Sequence, residues 1–339
     1  MSKGLQAAFS TALTPAATRV NENAAMTENP AGASQAPASE PLLRLAAGSL
    51  RLELAPSAGG AIAALHDQRD GVRFDWLRAA GAEGLARRDP FSMGSFPLLP
   101  WCNRIRDGQA DVAGREIRVA APHPASPSGK HPLHGLGWIL PWQVAESAPD
   151  RARLVLAFEA DARWPWRFEA AQCFELDPTG LRCTVSLSNR DTQPMPAGIG
   201  HHPYFPHRPG TRLQTWTRAM WRGDAEVMPL GLAPTPEVAQ LRAGVELSRL
   251  DLDNNFTGWQ RQARIDWPDA ARSLLLAAEP PLDFFVLYCP RGGEHFCAEP
   301  VSQCTDAINL RERHPAEALG GALLAPGETL SGSWSLRSS

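Results

Sequence analysis

From Leu42 onward, hydrophobic and polar residues alternate with a period of two. Leu50, Leu52 and Leu54 bracket Arg51 and Glu53. Phe168, Ala170, Gln172, Phe174 and Leu176 make a second row, and Cys183, Val185 and Leu187 alternate with Thr184, Ser186 and Ser188. A strand sends successive side chains to opposite faces, so each row places one face on a core and the other toward water or a second sheet. Phe284-Phe285-Val286-Leu287-Tyr288 is continuously apolar and reads as a buried strand. Asp70-Gly71, Asp107-Gly108, Asp177-Pro178-Thr179-Gly180 and Pro326-Gly327 supply turn chemistry between such runs. Amphipathic helical patterns are scarce, with one short helical turn expected within 236–249. No repeat at the ~20–50-residue period of solenoids is visible. The pattern predicts an all-β fold, a large antiparallel β-sandwich with few short helices.

The first 41 residues differ from the rest. Asn29-Pro30-Ala31-Gly32-Ala33-Ser34 and Ala36-Pro37-Ala38-Ser39-Glu40-Pro41 typify a segment rich in Ala, Pro and Ser. Too little apolar area is available there to offset the entropy of ordering, so 1–41 is expected to be a disordered leader. A signal peptide is the competing reading. It rests on Lys3 and the stretch from Leu5 to Ala17, which Gln6, Ser10, Thr11, Thr14 and Pro15 interrupt. Met26 is an alternative start. Residues 42–338 are expected to form one sandwich domain, large enough to bury a core without staples.

Charge and cysteine usage narrow the partners. A net charge of −3 offers no basic excess, so neither nucleic acid nor an anionic membrane surface is expected as a partner. No apolar run reaches the ~18 residues of a bilayer span. Six cysteines lie far apart with no CxxC pair, which fits a reduced, cytoplasmic setting better than a secreted disulfide scaffold. A disulfide between Cys297 and Cys304 stays open.

Candidate chemistry lies in a few polar segments. His131-Pro132-Leu133-His134-Gly135-Leu136-Gly137-Trp138 sets a histidine before a glycine-rich bend, where backbone comes close to a ligand. Gly198-Ile199-Gly200-His201-His202-Pro203-Tyr204-Phe205 sets another between glycines and a proline, and Pro203 forces His202 to be extended. His131 and His134 are spaced one short of HExxH, with no Glu between, so no metal is expected. Cys297-Ala298-Glu299-Pro300 places a carboxylate just beyond the apolar run at 284–288, where burial would raise its pKa. Asn103-Arg104-Ile105 and Asp253-Asn254-Asn255-Phe256 add an arginine and an aspartate suited to sugar hydroxyls. Eleven tryptophans, several beside Pro or Gly, offer flat faces for a pyranose. Each has a plainer reading as core, and each isolated His or Glu as structure or surface. There is no GxGxxG, P-loop or GxSxG.

Taken in order, Asn103-Arg104-Ile105, His134-Gly135, His202-Pro203-Tyr204-Phe205, Asp253-Asn254-Asn255-Phe256, Cys297-Ala298-Glu299-Pro300 and the closing Leu324-Ala325-Pro326-Gly327-Glu328 resemble the aldose 1-epimerase (galactose mutarotase) family over about residues 42–338. Leu136 and Asn254 depart from its pattern, standing where many members have Gly and His. The resemblance implies a galactose mutarotase-like sandwich with the sugar in an open cleft. It makes Glu299 and His202 the catalytic pair, with His134 as a second active-site histidine. Arg104 and Asp253 become sugar-binding, with Asn103 beside them and Trp138 or Trp101 stacking on the ring. It further implies interconversion of the α and β anomers of a free hexose by proton transfers alone, with no cofactor, in a monomer or weak dimer. A hexose-6-phosphate mutarotase, needing convergence of Arg104, Arg106 and Arg291 on a phosphate, and a non-catalytic carbohydrate-binding protein are the alternatives. A metal-dependent sugar isomerase stands behind both.

Overall fold

The computed structural model describes residues 42–112, 115–119 and 130–338; the expected leader lies outside them. Antiparallel strands dominate. A nine-stranded sheet runs from Val245–Glu246 at one edge to Gln143–Ser147 at the other, and an eight-stranded sheet carries the strands Leu252–Thr257, Phe284–Cys289 and His295–Val301 side by side. The alternating rows behave as expected: Leu50, Leu52 and Leu54 are buried, and Phe168–Asp177 pairs with Gly180–Asn189 through a tight turn at Pro178-Thr179. Asp70 and Gly71 take positive φ in a two-residue hairpin between Arg69 and Val72, the conformation a type I′ turn requires. The helical turn near 236 is a helix, Pro236–Ala243, started by proline at its first position.

The apolar run at 284–288 lies in a strand that is covered on both sides. Phe285 and Leu287 join the core that also takes Cys183, Val185, Leu276, Trp334 and Leu336 from the nine-stranded sheet, which makes the two sheets a sandwich. Phe284 and Val286 point the other way, into a second cluster with Phe96, Trp138, Tyr204 and Cys297. On that outer face the next strand presents Cys297 and Glu299.

Glu299 and Asp253 are thus strand residues, not loop residues. Asp253 pairs with Tyr288, and Tyr288 with Cys297, which pairs on its other side with Tyr204. One row therefore reads Asp253, Tyr288, Cys297, Tyr204. The next, two residues along, reads Asn255, Val286, Glu299. Gly200 pairs with Val301 and Tyr204 with Cys297. Two positions in from each pair, the same register sets His202 opposite Glu299. Pro203 interrupts the ladder there without shifting it.

Candidate active site

The outer face of the eight-stranded sheet floors a cleft of about 570 Å³, walled by Arg78, Asn103, Arg104, His134, Tyr204 and Tyr288 among others, with His202, Asp253 and Glu299 in its lining. Its size and its convergent polar groups suit one small ligand. A wider surface cleft of about 880 Å³, between Trp216, Arg218, Gln260 and Glu317, contains no imidazole. Volume alone does not locate the chemistry.

His202 Nε2 lies 3.3 Å from Glu299 Oε1. The imidazole stacks on Phe96 (4.7 Å, 28°) and on Tyr204 (4.8 Å, 23°), whose own ring centroids lie 6.1 Å apart, and the Arg78 guanidinium lies over the Tyr204 ring at 3.8 Å. Arg78 is itself held by the carbonyl oxygens of Phe91 and Met93. This aromatic cluster fixes the plane of the His202 ring. Burial lowers the His202 pKa to about 3, aided by Arg78 and Arg104. Burial raises Glu299 well above the usual carboxylate range, Asp253 adding to the effect and Arg104 opposing it. Both directions favour the uncharged forms, so the proton of the pair rests on Glu299 and not on His202. Glu299 Oε2 is buried and has no protein partner.

His134 comes from a different segment. It adopts φ 61°, and the bend continues through Gly135, where a Cβ would fall 2.1 Å from the Leu99 carbonyl oxygen. Only glycine fits there. The backbone N–H of Asn103 donates to His134 Nδ1 at 3.3 Å, while His134 N–H donates to the Asn103 carbonyl at 2.8 Å. With Nδ1 an acceptor, Nε2 carries the hydrogen. Burial, His202 and Arg104 hold the His134 pKa well below the ordinary value, so it is a neutral donor. Its ring meets that of His202 edge-on at 5.1 Å.

Arg104 lies 3.7 Å from Asp253 and donates to Asn103 Oδ1 at 3.1 Å. Burial raises the Asp253 pKa and Arg104 opposes that.

Six of the seven residues singled out from sequence therefore line one cleft: Asn103, Arg104, His134, His202, Asp253 and Glu299. Trp138 does not. It is fully buried behind Phe96 (5.3 Å, 30°) and donates its indole N–H to the Gly135 carbonyl at 3.0 Å, bracing the bend that carries His134. Trp101 is equally buried, packed on Trp164. Pro and Gly beside these indoles mark bends folded back on the core rather than exposed platforms. Arg106 pairs with Asp306 and Arg291 with Asp251, and neither lines the cleft. His131 is fully buried, its Nδ1 accepting from the Asp107 N–H at 2.8 Å and its Nε2 3.4 Å from Glu226, away from His134's cleft. Leu136 is a core residue, and the Asn254 side chain donates to the Trp221 carbonyl, so neither departure from the family pattern lines the cleft. All six cysteines are free. Sequence reasoning missed Arg78, Tyr288 and the stacking roles of Phe96 and Tyr204; for Tyr204, its place beside His202-Pro203 was the available signal. Among the described residues no helix is long and apolar enough to cross a membrane.

An imidazole and a carboxyl group in contact line an open cleft on an antiparallel sandwich of galactose mutarotase-like fold. The chain belongs to the aldose 1-epimerase family, whose model matches residues 41–337. It is 29% identical over 302 residues to the uncharacterized Escherichia coli K12 protein YphB, covering 86% of this chain and 97% of that one. A solved structure of a candidate aldose 1-epimerase from Escherichia coli K12 superposes with a TM-score of 0.78 at 26% identity, covering 88% of this chain and 99% of that one. A galactose mutarotase-like protein from Clostridium acetobutylicum gives a TM-score of 0.77 at 22% identity over 87% and 94% of the two chains, a likeness of fold.

Proposed function

We propose that this protein is an aldose 1-epimerase acting on a free hexose of the glucose or galactose type. The observation that carries the reading is the 3.3 Å His202–Glu299 contact between two buried groups that face a pyranose-sized cleft. Mutarotation removes the proton from O1 and delivers one to the ring oxygen O5. The C1–O5 bond then breaks, the aldehyde turns about C1–C2, and reclosure by the reverse transfers gives the other anomer. Base and acid need one proton between them, the number this pair holds. The pair's proton first passes from Glu299 to His202 across their 3.3 Å contact; Glu299, through its unpartnered Oε2, then accepts the O1 proton and His202 supplies its proton to O5. The neutral His134 donates from Nε2 to the oxygen on which charge develops, and Arg104 adds a fixed positive charge. Each acid or base contributes about 10²–10⁴-fold. Asp253, steered by Arg104, accepts from hydroxyls remote from C1. No cofactor enters these steps.

The phosphorylated substrate is supported less well. Of Arg104, Arg106 and Arg291 only Arg104 lines the cleft, and it faces Asp253. The guanidinium of Arg78, also in the lining, is engaged by backbone carbonyls. A binding protein without turnover has no use for a desolvated acid–base pair. Polarimetry on freshly dissolved α-glucose and α-galactose, beside glucose 6-phosphate, tests the reading. Rates equal to buffer alone with every sugar, while sugar still binds, would leave the non-catalytic alternative.

A further inference from the structure

The proposed reaction uses His202 and Glu299 and leaves Cys297 idle. Cys297 precedes Glu299 by two residues on one strand, so both side chains leave the same face. Its thiol is fully buried between Tyr204 and Tyr288 and does not line the cleft. One ligand atom from each of His202, Cys297 and Glu299 lies within 4.8 Å of the other two, and the His–Glu separation is 3.3 Å. Four-coordinate zinc, with bonds of about 2.0–2.3 Å, places its ligand atoms roughly 3.4 Å apart. One edge already has that spacing, and the other two, within 4.8 Å, must close by side-chain rotation when the ion enters. Independently, Glu299 Oε2 is buried with no protein partner in a residue that lines the cleft.

We propose that His202, Cys297 and Glu299 form a zinc-binding site that opens on the cleft, and that Zn²⁺ bound there reversibly inhibits the reaction by competing with the sugar. The donor set points to a first-row divalent ion: thiolate and imidazole select against Mg²⁺ and Ca²⁺, a carboxylate ligand is foreign to Cu(I), and a mixed sulfur, nitrogen and oxygen set suits borderline-soft Zn²⁺. Zinc takes the thiol as thiolate and the carboxyl as carboxylate, so binding releases protons and weakens as pH falls. Arg78, Arg104, His134, Asp253, Tyr204 and Tyr288 face the cluster and are unchanged in this exchange. Three protein ligands leave a fourth position toward the cleft for water. Inhibition follows because the ion holds the nitrogen and oxygen that exchange protons with O5 and O1. That inhibitory role rests on the function proposed above; the metal binding does not.

The experiment uses the untagged full chain. Calorimetric titration with ZnCl₂ is expected to show one site, and Co²⁺ used as an optical probe is expected to give a thiolate-to-metal absorption band. Cys297→Ala and His202→Asn should each lose the band and weaken zinc at least about ten-fold, with Cys297→Ser replacing the alanine variant if thermal melting shows that the latter does not fold. In polarimetry, zinc should slow the wild-type protein in a chelator-reversible way, and the inhibition constant should rise at least about ten-fold in Cys297→Ala, each protein being compared with its own zinc-free rate. A cobalt band that survives Cys297→Ala, or no band at all, overturns the site even if mutarotation is fast. A cysteine-dependent band in a protein that turns over no sugar upholds the site and overturns the inhibitory role together with the proposed reaction.

Discussion

The backbone N–H of Asn103 donates to Nδ1 of His134 across 3.3 Å, and that contact decides which imidazole nitrogen carries the hydrogen. His134 then donates to a ligand from Nε2 in one tautomer. His134→Asn should raise KM and lower kcat together, reducing kcat/KM by about 10²-fold, because the lost donor serves both bound sugar and transition state. Polarimetric rates across substrate concentration check this; a change in KM alone would reduce His134 to a binding group.

Glu299→Gln keeps the shape of the side chain and removes the base. We expect kcat to fall by about 10²-fold or more, measured in the same assay with folding followed by thermal melting. In the parent protein, kcat/KM should stay nearly flat from about pH 5 to 7, since the pair retains its single proton while His202 titrates only near about 3 and Glu299 is raised well above its ordinary value. An acid limb centred near 6.5 would contradict the one-proton pair.

His201 gives a stability prediction that catalysis does not complicate. It is fully buried, contacts Ser95 Oγ at 2.5 Å and Gln172 Oε1 at 3.0 Å, and burial lowers its pKa to about 3. The unfolded imidazole titrates near 6.5, so between those values the unfolded chain binds the extra proton. The stabilising contribution is complete above about pH 6.5 and is lost as pH falls toward 3, by about 1.4 kcal/mol per pH unit. Denaturant unfolding at pH 7 and pH 5 should show a smaller pH effect in His201→Gln than in the parent.

Phe96 is fully buried and covers one face of His202. Phe96→Ala should cost about 3–5 kcal/mol of stability through the cavity it leaves. It should also lower kcat, because the imidazole loses the wall that fixes its plane. Phe96→Leu, which refills most of the volume, should recover stability more than rate.

Trp138→Phe separates the buried position of that indole from the sugar-stacking role inferred from sequence. The Gly135 carbonyl loses its donor, at a cost of about 1–3 kcal/mol, while KM should stay close to that of the parent. A large rise in KM at unchanged stability would restore the stacking role.

Much of the architecture was legible locally. The rows at Leu50, Phe168 and Cys183 named their own buried faces, and Asp70-Gly71 named its turn, because strand periodicity and positive φ act over a few residues. Glu299 was found, but its strand was not, since the pairing of Val286 with Glu299 joins positions whose relation no local pattern encodes. The tryptophans misled for a similar reason: Pro and Gly beside Trp138 reveal a bend but not the side to which it folds. Arg78 was invisible because its role depends on Tyr204 and on carbonyl oxygens brought up by the 91–93 segment.

The cross-strand register that sets His202 opposite Glu299 has a further consequence. The spacing of acid and base is anchored by main-chain ladders on either side of them, at Gly200–Val301 and Tyr204–Cys297, while Asn103 and His134 arrive on separate bends at the rim. Lengthening or trading those rim bends alters which hydroxyls are greeted and leaves the proton-handling core untouched. Under the proposed function, editing those loops changes the sugar accepted and leaves the spacing of acid and base intact.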